Sequence, residues 1–244
     1  MFYDLRHAIR AVGRAKGTTA VLLLSLGLGT GANAAVYSVL DRLLLRYPAG
    51  IDRPSEVVSL YTSEDGGFPY GLSSYPDLVS ARHSGTVSAL AMIRDGLVEN
   101  ARLGGIDRSV RIAEVSDDYF PALGMEAKSG QLRTSERPDA ATAVISLSLA
   151  EEVGASDVIG KPLTIGRRSY IVAGVTAPHF RGLQVGRDSD VWIPMGTPST
   201  GRGNRRYTAI GRLTAGIGSR RHSAISSAFP SIWGRSFLRP IGEA

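Results

Sequence analysis

The sequence predicts an α+β protein, with one N-terminal transmembrane helix followed by a mixed α/β domain outside the cytoplasm. Three observations predict it. Gly17 to Leu40 is a run of 24 residues without a charge, and about 20 apolar residues cross a bilayer's hydrocarbon core. After it, short β-patterned runs alternate with short helix signals, as in α+β folds and unlike the regular strand–helix alternation of a doubly wound sheet. Finally, the chain has 244 residues and 43% hydrophobic content, enough for an anchor and a medium domain.

The apolar run takes its weight from Leu22, Leu23, Leu24, Leu26 and Leu28 and contains no Pro. Gly27 and Gly31 have the GxxxG spacing, continued by Ala35. Such small residues let a neighbouring helix approach closely in lipid, although the same spacing also occurs in spans with no partner there. Upstream, Arg6, Arg10 and Arg14 recur every four residues, and Lys16 closes the segment. Phe2, Leu5, Ile9 and Val12 occupy another side. That pattern predicts an interfacial helix over 1–16, with its basic face toward lipid headgroups. The rival is the plain basic flank of an inserted segment.

Four basic residues precede the span, and Arg42, Arg46 and Arg53 follow it. The bias places the N-terminus in the cytoplasm. A cleavable signal peptide is the alternative, with Ala32-Asn33-Ala34 as the small-residue site. Apolar character continues past that site through Val36, Tyr37, Val39 and Leu40 and resumes at Leu43–Leu45. The expectation is therefore an uncleaved span over 17–46. Either reading puts the remainder outside the cytoplasm.

In that remainder, Val57–Tyr61 reads as a strand, and Ser74-Tyr75-Pro76-Asp77 opens a helix, with an acidic residue placed for the helix dipole. Ser88–Ile93, Glu99–Leu103 and Ser109–Val115 read as strands. Ser116-Asp117-Asp118 starts a helix over Tyr119–Leu123 that Gly124 stops. Ala143–Leu147 is a strand. Pro162–Ile165 and Ser169–Val175 form a hairpin around Gly166-Arg167-Arg168. Val191–Pro194 and Tyr207–Leu213 are the later strands. Arg220 to Phe229 reads as a helix, and Ser231 to Ala244 has no clean period.

Charge excludes one class of function. The net charge is +6, but residues 47–200 carry 14 basic and 19 acidic side chains. The excess positive charge sits at the two ends, whereas a nucleic-acid domain concentrates it on the fold. No nucleic-acid partner is expected; membrane lipid is. No cysteine exists to make a disulfide or a thiolate metal site. His7, His83, His179 and His222 form no ligand motif. There is no Gly-x-Ser-x-Gly elbow and no Gly-x-x-x-x-Gly-Lys-Ser/Thr loop. The glycines of Gly27-Leu28-Gly29-Thr30-Gly31 lie inside the span and follow no strand. No catalytic, cofactor-binding or metal-binding residue is expected.

The order of segments carries a resemblance. Asp4-Leu5-Arg6, Ala8-Ile9-Arg10, the Thr18–Leu28 run and Gly29-Thr30-Gly31-Ala32-Asn33-Ala34-Ala35-Val36-Tyr37-Ser38-Val39 come first. Ser74-Tyr75-Pro76-Asp77, Val115-Ser116, Tyr119-Phe120 and Leu123-Gly124 follow. Ile159-Gly160-Lys161, Val172-Ala173-Gly174-Val175, Phe180-Arg181-Gly182, Val191-Trp192-Ile193-Pro194 and Gly211-Arg212-Leu213 complete it. Over about residues 2–225 the chain resembles the MacB-like ABC transporter permeases, with a MacB-like periplasmic core and FtsX-like domains.

The resemblance implies a non-catalytic subunit of the bacterial inner membrane. It transmits motion from a partner ABC ATPase subunit, beside a second permease subunit, to a periplasmic domain. It assigns 47–225 to that core and leaves 226–244 as a divergent tail. The family continues with three more membrane helices, which this sequence lacks, so the expectation is a truncated product. The alternative is a secreted or membrane-tethered periplasmic binding module without transport activity.

Overall fold

A computed structural model of the chain describes residues 16–40, 49–63, 70–83, 85–135, 141–154, 158–183, 187–215 and 235–240. The chain divides into two compact units, Met1–Arg46 with Ala244, and Tyr47–Glu243. In the first unit, helix α1 spans Lys16–Leu40. Its segment Thr19–Ser38 has a mean hydropathy of 1.5 and none of its side chains is buried, so by length and composition it can cross a membrane.

Among the described residues, the second unit is built on ten strands. They are β1 (Val57–Ser63), β2 (Val87–Leu103), β3 (Ile106–Val115), β4 (Ser129–Gly130) and β5 (Thr142–Ile145). Then come β6 (Pro162–Ile165), β7 (Arg168–Val175), β8 (Val191–Pro194), β9 (Thr208–Leu213) and β10 (Arg235–Pro240). Three short helices join them: α2 (Tyr75–His83), α3 (Tyr119–Leu123) and α4 (Leu147–Glu152). The α+β class expected from the sequence is the class observed.

Strand β2 organises the unit. One edge of β2 pairs with β3 from Ile93 to Leu103. The other edge pairs with β9 over Val87–Ile93 and with β6 over Ala101–Leu103. From the first half an antiparallel arm runs β2–β9–β1–β10. From the second half six strands close a ring, β2–β3–β8–β5–β7–β6 and back to β2. The ring interior is apolar, with Leu103, Ile112, Ile145, Leu163, Val172 and Val191 all buried. Closure removes the free edges that an open sheet would expose.

The arm is covered on both faces. Successive strand residues point to opposite sides, so Val57 enters the core under α3 and Val58 the core under α2. Under α3, Trp192 stacks on Phe180 at 5.4 Å and meets Phe120 edge-on at 6.1 Å. Trp192 is wholly buried there.

Local chemistry sets the helix ends. Ser74 Oγ accepts from the Asp77 amide at 3.4 Å and donates to its carboxylate at 2.6 Å, which fixes the start of α2. Ser146 Oγ accepts from the Leu149 amide at 3.1 Å and starts α4. Gly124, at φ 59, ends α3 in the left-handed conformation that favours glycine. Gly174 is required by a close crossing instead: a Cβ there would lie 2.2 Å from the Gln131 carbonyl oxygen.

Several expectations need correction. Ser88–Ile93 and Glu99–Leu103 are one strand, β2, because Asp95-Gly96 forms a bulge between Arg94 and Leu97 and not a turn. The strand begun at Ala143 ends at Ile145, since Ser146 caps a helix that takes Leu147. Asp118 sits at the N-cap of α3, but its side chain makes no cap bond and pairs with Arg82 of α2. The 231–244 region, read as aperiodic, contributes β10, which pairs with β1. The helix expected over Arg220–Phe229 lies outside the described residues.

Candidate functional site

Helix α1 brings the expected packing residues together. Gly27, Gly31 and Ala35 follow at four-residue intervals along one face, and all are exposed. A Cβ at Gly27 or Gly31 would meet nothing within 4 Å among the described residues. Packing among the described residues therefore does not call for either glycine. Two of its hydroxyls bond back to the helix: Thr30 donates to the Leu26 carbonyl and Ser38 to the Ala34 carbonyl, both at 2.8 Å. Lys16 is exposed at the helix start. Arg6, Arg10 and Arg14 lie outside the described residues.

Where the chain enters the domain, it meets a buried charge. Arg212 lies on β9, 9% exposed. Its Nε donates to the Ala122 carbonyl at 3.0 Å, its Nη2 to the Asp52 carbonyl at 2.8 Å and its Nη1 to Glu56 Oε2 at 3.2 Å. The Asp52 amide donates to the Leu123 carbonyl at 3.1 Å. One guanidinium thus joins three elements: β9, the end of α3 and the segment ahead of β1. A planar fork with five donors suits this better than a point charge. A Cβ on Gly124 would come within 2.9 Å of the guanidinium. Arg53 adopts a left-handed φ of 45° while pairing with Asp52 and Glu56, each at 3.1 Å.

Other ionisable groups of the domain do structural work. Arg94 pairs with Glu114 and Arg108 with Glu152, while Arg202 holds Asp77 at 2.7 Å. Asp95 lies at the β2 bulge. Burial raises its pKa, partly offset by Arg187 at 3.8 Å. Burial also pushes the Tyr119 phenol well up. His83 Nδ1 sits 2.7 Å from the Val79 carbonyl, and His179 takes a positive φ of 63°. His7 and His222 lie outside the described residues. Among the described residues no three metal-ligating side chains cluster. A hollow of about 410 Å³ opens beside α4, where Lys128 and Glu151 flank Leu147, Ala150, Val158 and Val175.

The sequence did not single out Arg212 as a buried charge or Asp95 as a half-buried one. The available signals were an arginine inside the otherwise apolar strand of Thr208–Leu213 and an Asp-Gly pair between two runs of one strand. The arrangement as a whole builds rigid joints and an apolar helix.

The model of the MacB-like periplasmic core domain matches residues 19–220. Macrolide export ATP-binding/permease protein MacB 1 of Yersinia pestis bv. Antiqua (strain Antiqua) is 26% identical over 214 residues, covering 83% of this chain and 32% of that protein. The chain thus spans about a third of the length of the curated relatives it matches. The periplasmic region of MacB from Actinobacillus actinomycetemcomitans superposes with a TM-score of 0.58 at 14% identity, over 78% of this chain and 90% of that one. The extracellular domain of the ABC-type transporter YknZ from Gram-positive bacteria gives 0.50 at 16% identity, over 70% and 88%. Identities this low carry the fold alone.

Proposed function

The chain belongs to the MacB-like periplasmic core domain family, and from that premise we propose that it is the anchored part of an ABC-type permease that relays motion and does no chemistry. One observation carries this reading. A single family match takes in both the apolar helix and the sheet domain, from residue 19 to residue 220. The curated relatives join ATP binding to permease function by name. This reading assigns hydrolysis to an ABC ATPase subunit, with a second permease subunit completing the assembly.

In this reading α1 stays uncleaved in the inner membrane, with a cytoplasmic N-terminus and a periplasmic domain. Gly27, Gly31 and Ala35 form the face for a neighbouring membrane helix. Arg6, Arg10, Arg14 and Lys16 face lipid headgroups. Alkaline phosphatase fused at Ser63 is expected to be active, and the protein to resist alkaline carbonate extraction. An inactive fusion, or a mature terminus at Ala35, overturns the reading.

A further inference from the structure

The geometry points to Arg212 as the joint through which movement of the membrane helix enters the sheet. This inference deepens the reading above and rests on it for its purpose. Along the chain, α1 is followed by residues 41–48, outside the described region, and then by 49–56, which run into β1.

Segment 49–56 is not a loose tether. Ile51 packs against the Trp192 core. Gly50, at φ +82, would place a Cβ 2.8 Å from Ala177 Cβ, so the backbone passes close to the domain there. The polar attachments of the segment converge on α3 and one side chain. Asp52 donates to Leu123 and accepts from Arg212, while Glu56 accepts from Arg212.

Arg212 is also unusually well held at its own backbone. It registers with Val57 of β1 on one side and with Ala89 of β2 on the other. Its carbonyl accepts a further bond from Ser88 Oγ at 3.2 Å. A pull on 49–56 is therefore delivered to the middle of the arm, to β2 and so to the ring that shares β2. Through Ala122 it also reaches α3, whose Tyr119, Phe120, Ala122 and Leu123 are buried.

A structural salt bridge at a surface would not have these properties. The guanidinium spends two donors on main-chain carbonyls of different segments, so it fixes backbone to backbone. Lysine keeps the charge but cannot reach three acceptors in one plane.

The test stretches the full chain in detergent micelles. The chain has no native cysteine, so Ala49→Cys and Ser109→Cys give unique handles, both at exposed positions. In the otherwise native chain, extension is expected to begin only when the sheet yields. In Arg212→Lys, an early step is expected as the eight residues 49–56 peel away, lengthening the chain by up to about 27 Å. Glu56→Gln removes the ion pair and keeps both carbonyl bonds, so its early step should need more force than that of Arg212→Lys. This second variant serves if Arg212→Lys does not fold.

An early step in the native chain, or none in either variant, overturns the joint. No ATPase takes part in the measurement. An inactive phosphatase fusion with an intact joint would count against the permease reading, whereas an early native step with an active fusion would count against the joint alone.

Discussion

Helix α1 and the closed ring use the same side chains and solve opposite problems. Leu22, Leu24, Leu26 and Leu28 are between 65% and 78% exposed, while Leu163 in the ring is wholly buried. In water, seven exposed Leu and Val side chains on α1 would forgo on the order of 10–20 kcal/mol of burial. A whole domain's net stability is only about 5–15 kcal/mol. The ring closes on itself and so provides its own apolar phase. The helix satisfies its backbone internally but not its surface, which is the arrangement that lipid accepts. Hydrophobicity alone does not tell the two regions apart; the partner for each side chain does.

The largest expected effect tests the self-sufficient region. Trp192→Ala removes a ring stacked on Phe180 and met edge-on by Phe120 in the core under α3 and should cost about 3–5 kcal/mol in denaturant unfolding of the domain. Leu26→Ala, made in parallel, should leave that unfolding midpoint unchanged. A shared loss would mean that α1 supports the domain, and the separation drawn here would fail.

The next effect tests the helix's need for lipid. Leu26→Arg places a charge near the middle of Thr19–Ser38 and should cost about 2.5–3.5 kcal/mol of insertion. The protein should move into the soluble fraction on carbonate washing while the domain's near-ultraviolet circular dichroism persists. Unchanged membrane retention would remove the case for a span.

The smallest effect sharpens the contrast within the domain. Ser146→Ala deletes the cap of α4 and should lower stability by about 1 kcal/mol, read as a shifted midpoint with unchanged slope. The Thr30 and Ser38 hydroxyls of α1 cap nothing, because each is bonded back to its own helix. Thr30→Val should therefore leave retention in the membrane fraction as it was.

Where structure is decided locally, it was legible in the sequence. Tyr119–Leu123 and Val191–Pro194 were read with the bounds observed, because Gly124 stops one and the other is a short apolar run ending at Pro194. The apolar helix was legible for the same reason: 24 uncharged residues need no partner to announce themselves. Elements decided at a distance were not. Asp95-Gly96 has turn chemistry, and only β3 running alongside keeps β2 extended across it. β10 lacks a clean period and gains its conformation from β1, far away in sequence. Nothing next to Arg212 in sequence shows its burial, because Asp52, Glu56 and Ala122, which surround it, are each remote in sequence.

The β1–β10 pairing also sets an order of events in time. It matches Val58 with Pro240, residues from nearly opposite ends of the chain. At ribosomal rates of about 5–20 residues per second, roughly 10–40 s separate the synthesis of the two strands. Throughout that interval the β1 edge that β10 will take is unclaimed, and unclaimed strand edges are templates for association with other chains. Among the described strands, β1 waits longest to have both edges paired. Each newly made molecule therefore passes through a period in which a chaperone, or a neighbouring nascent copy, competes directly with β10 for that edge.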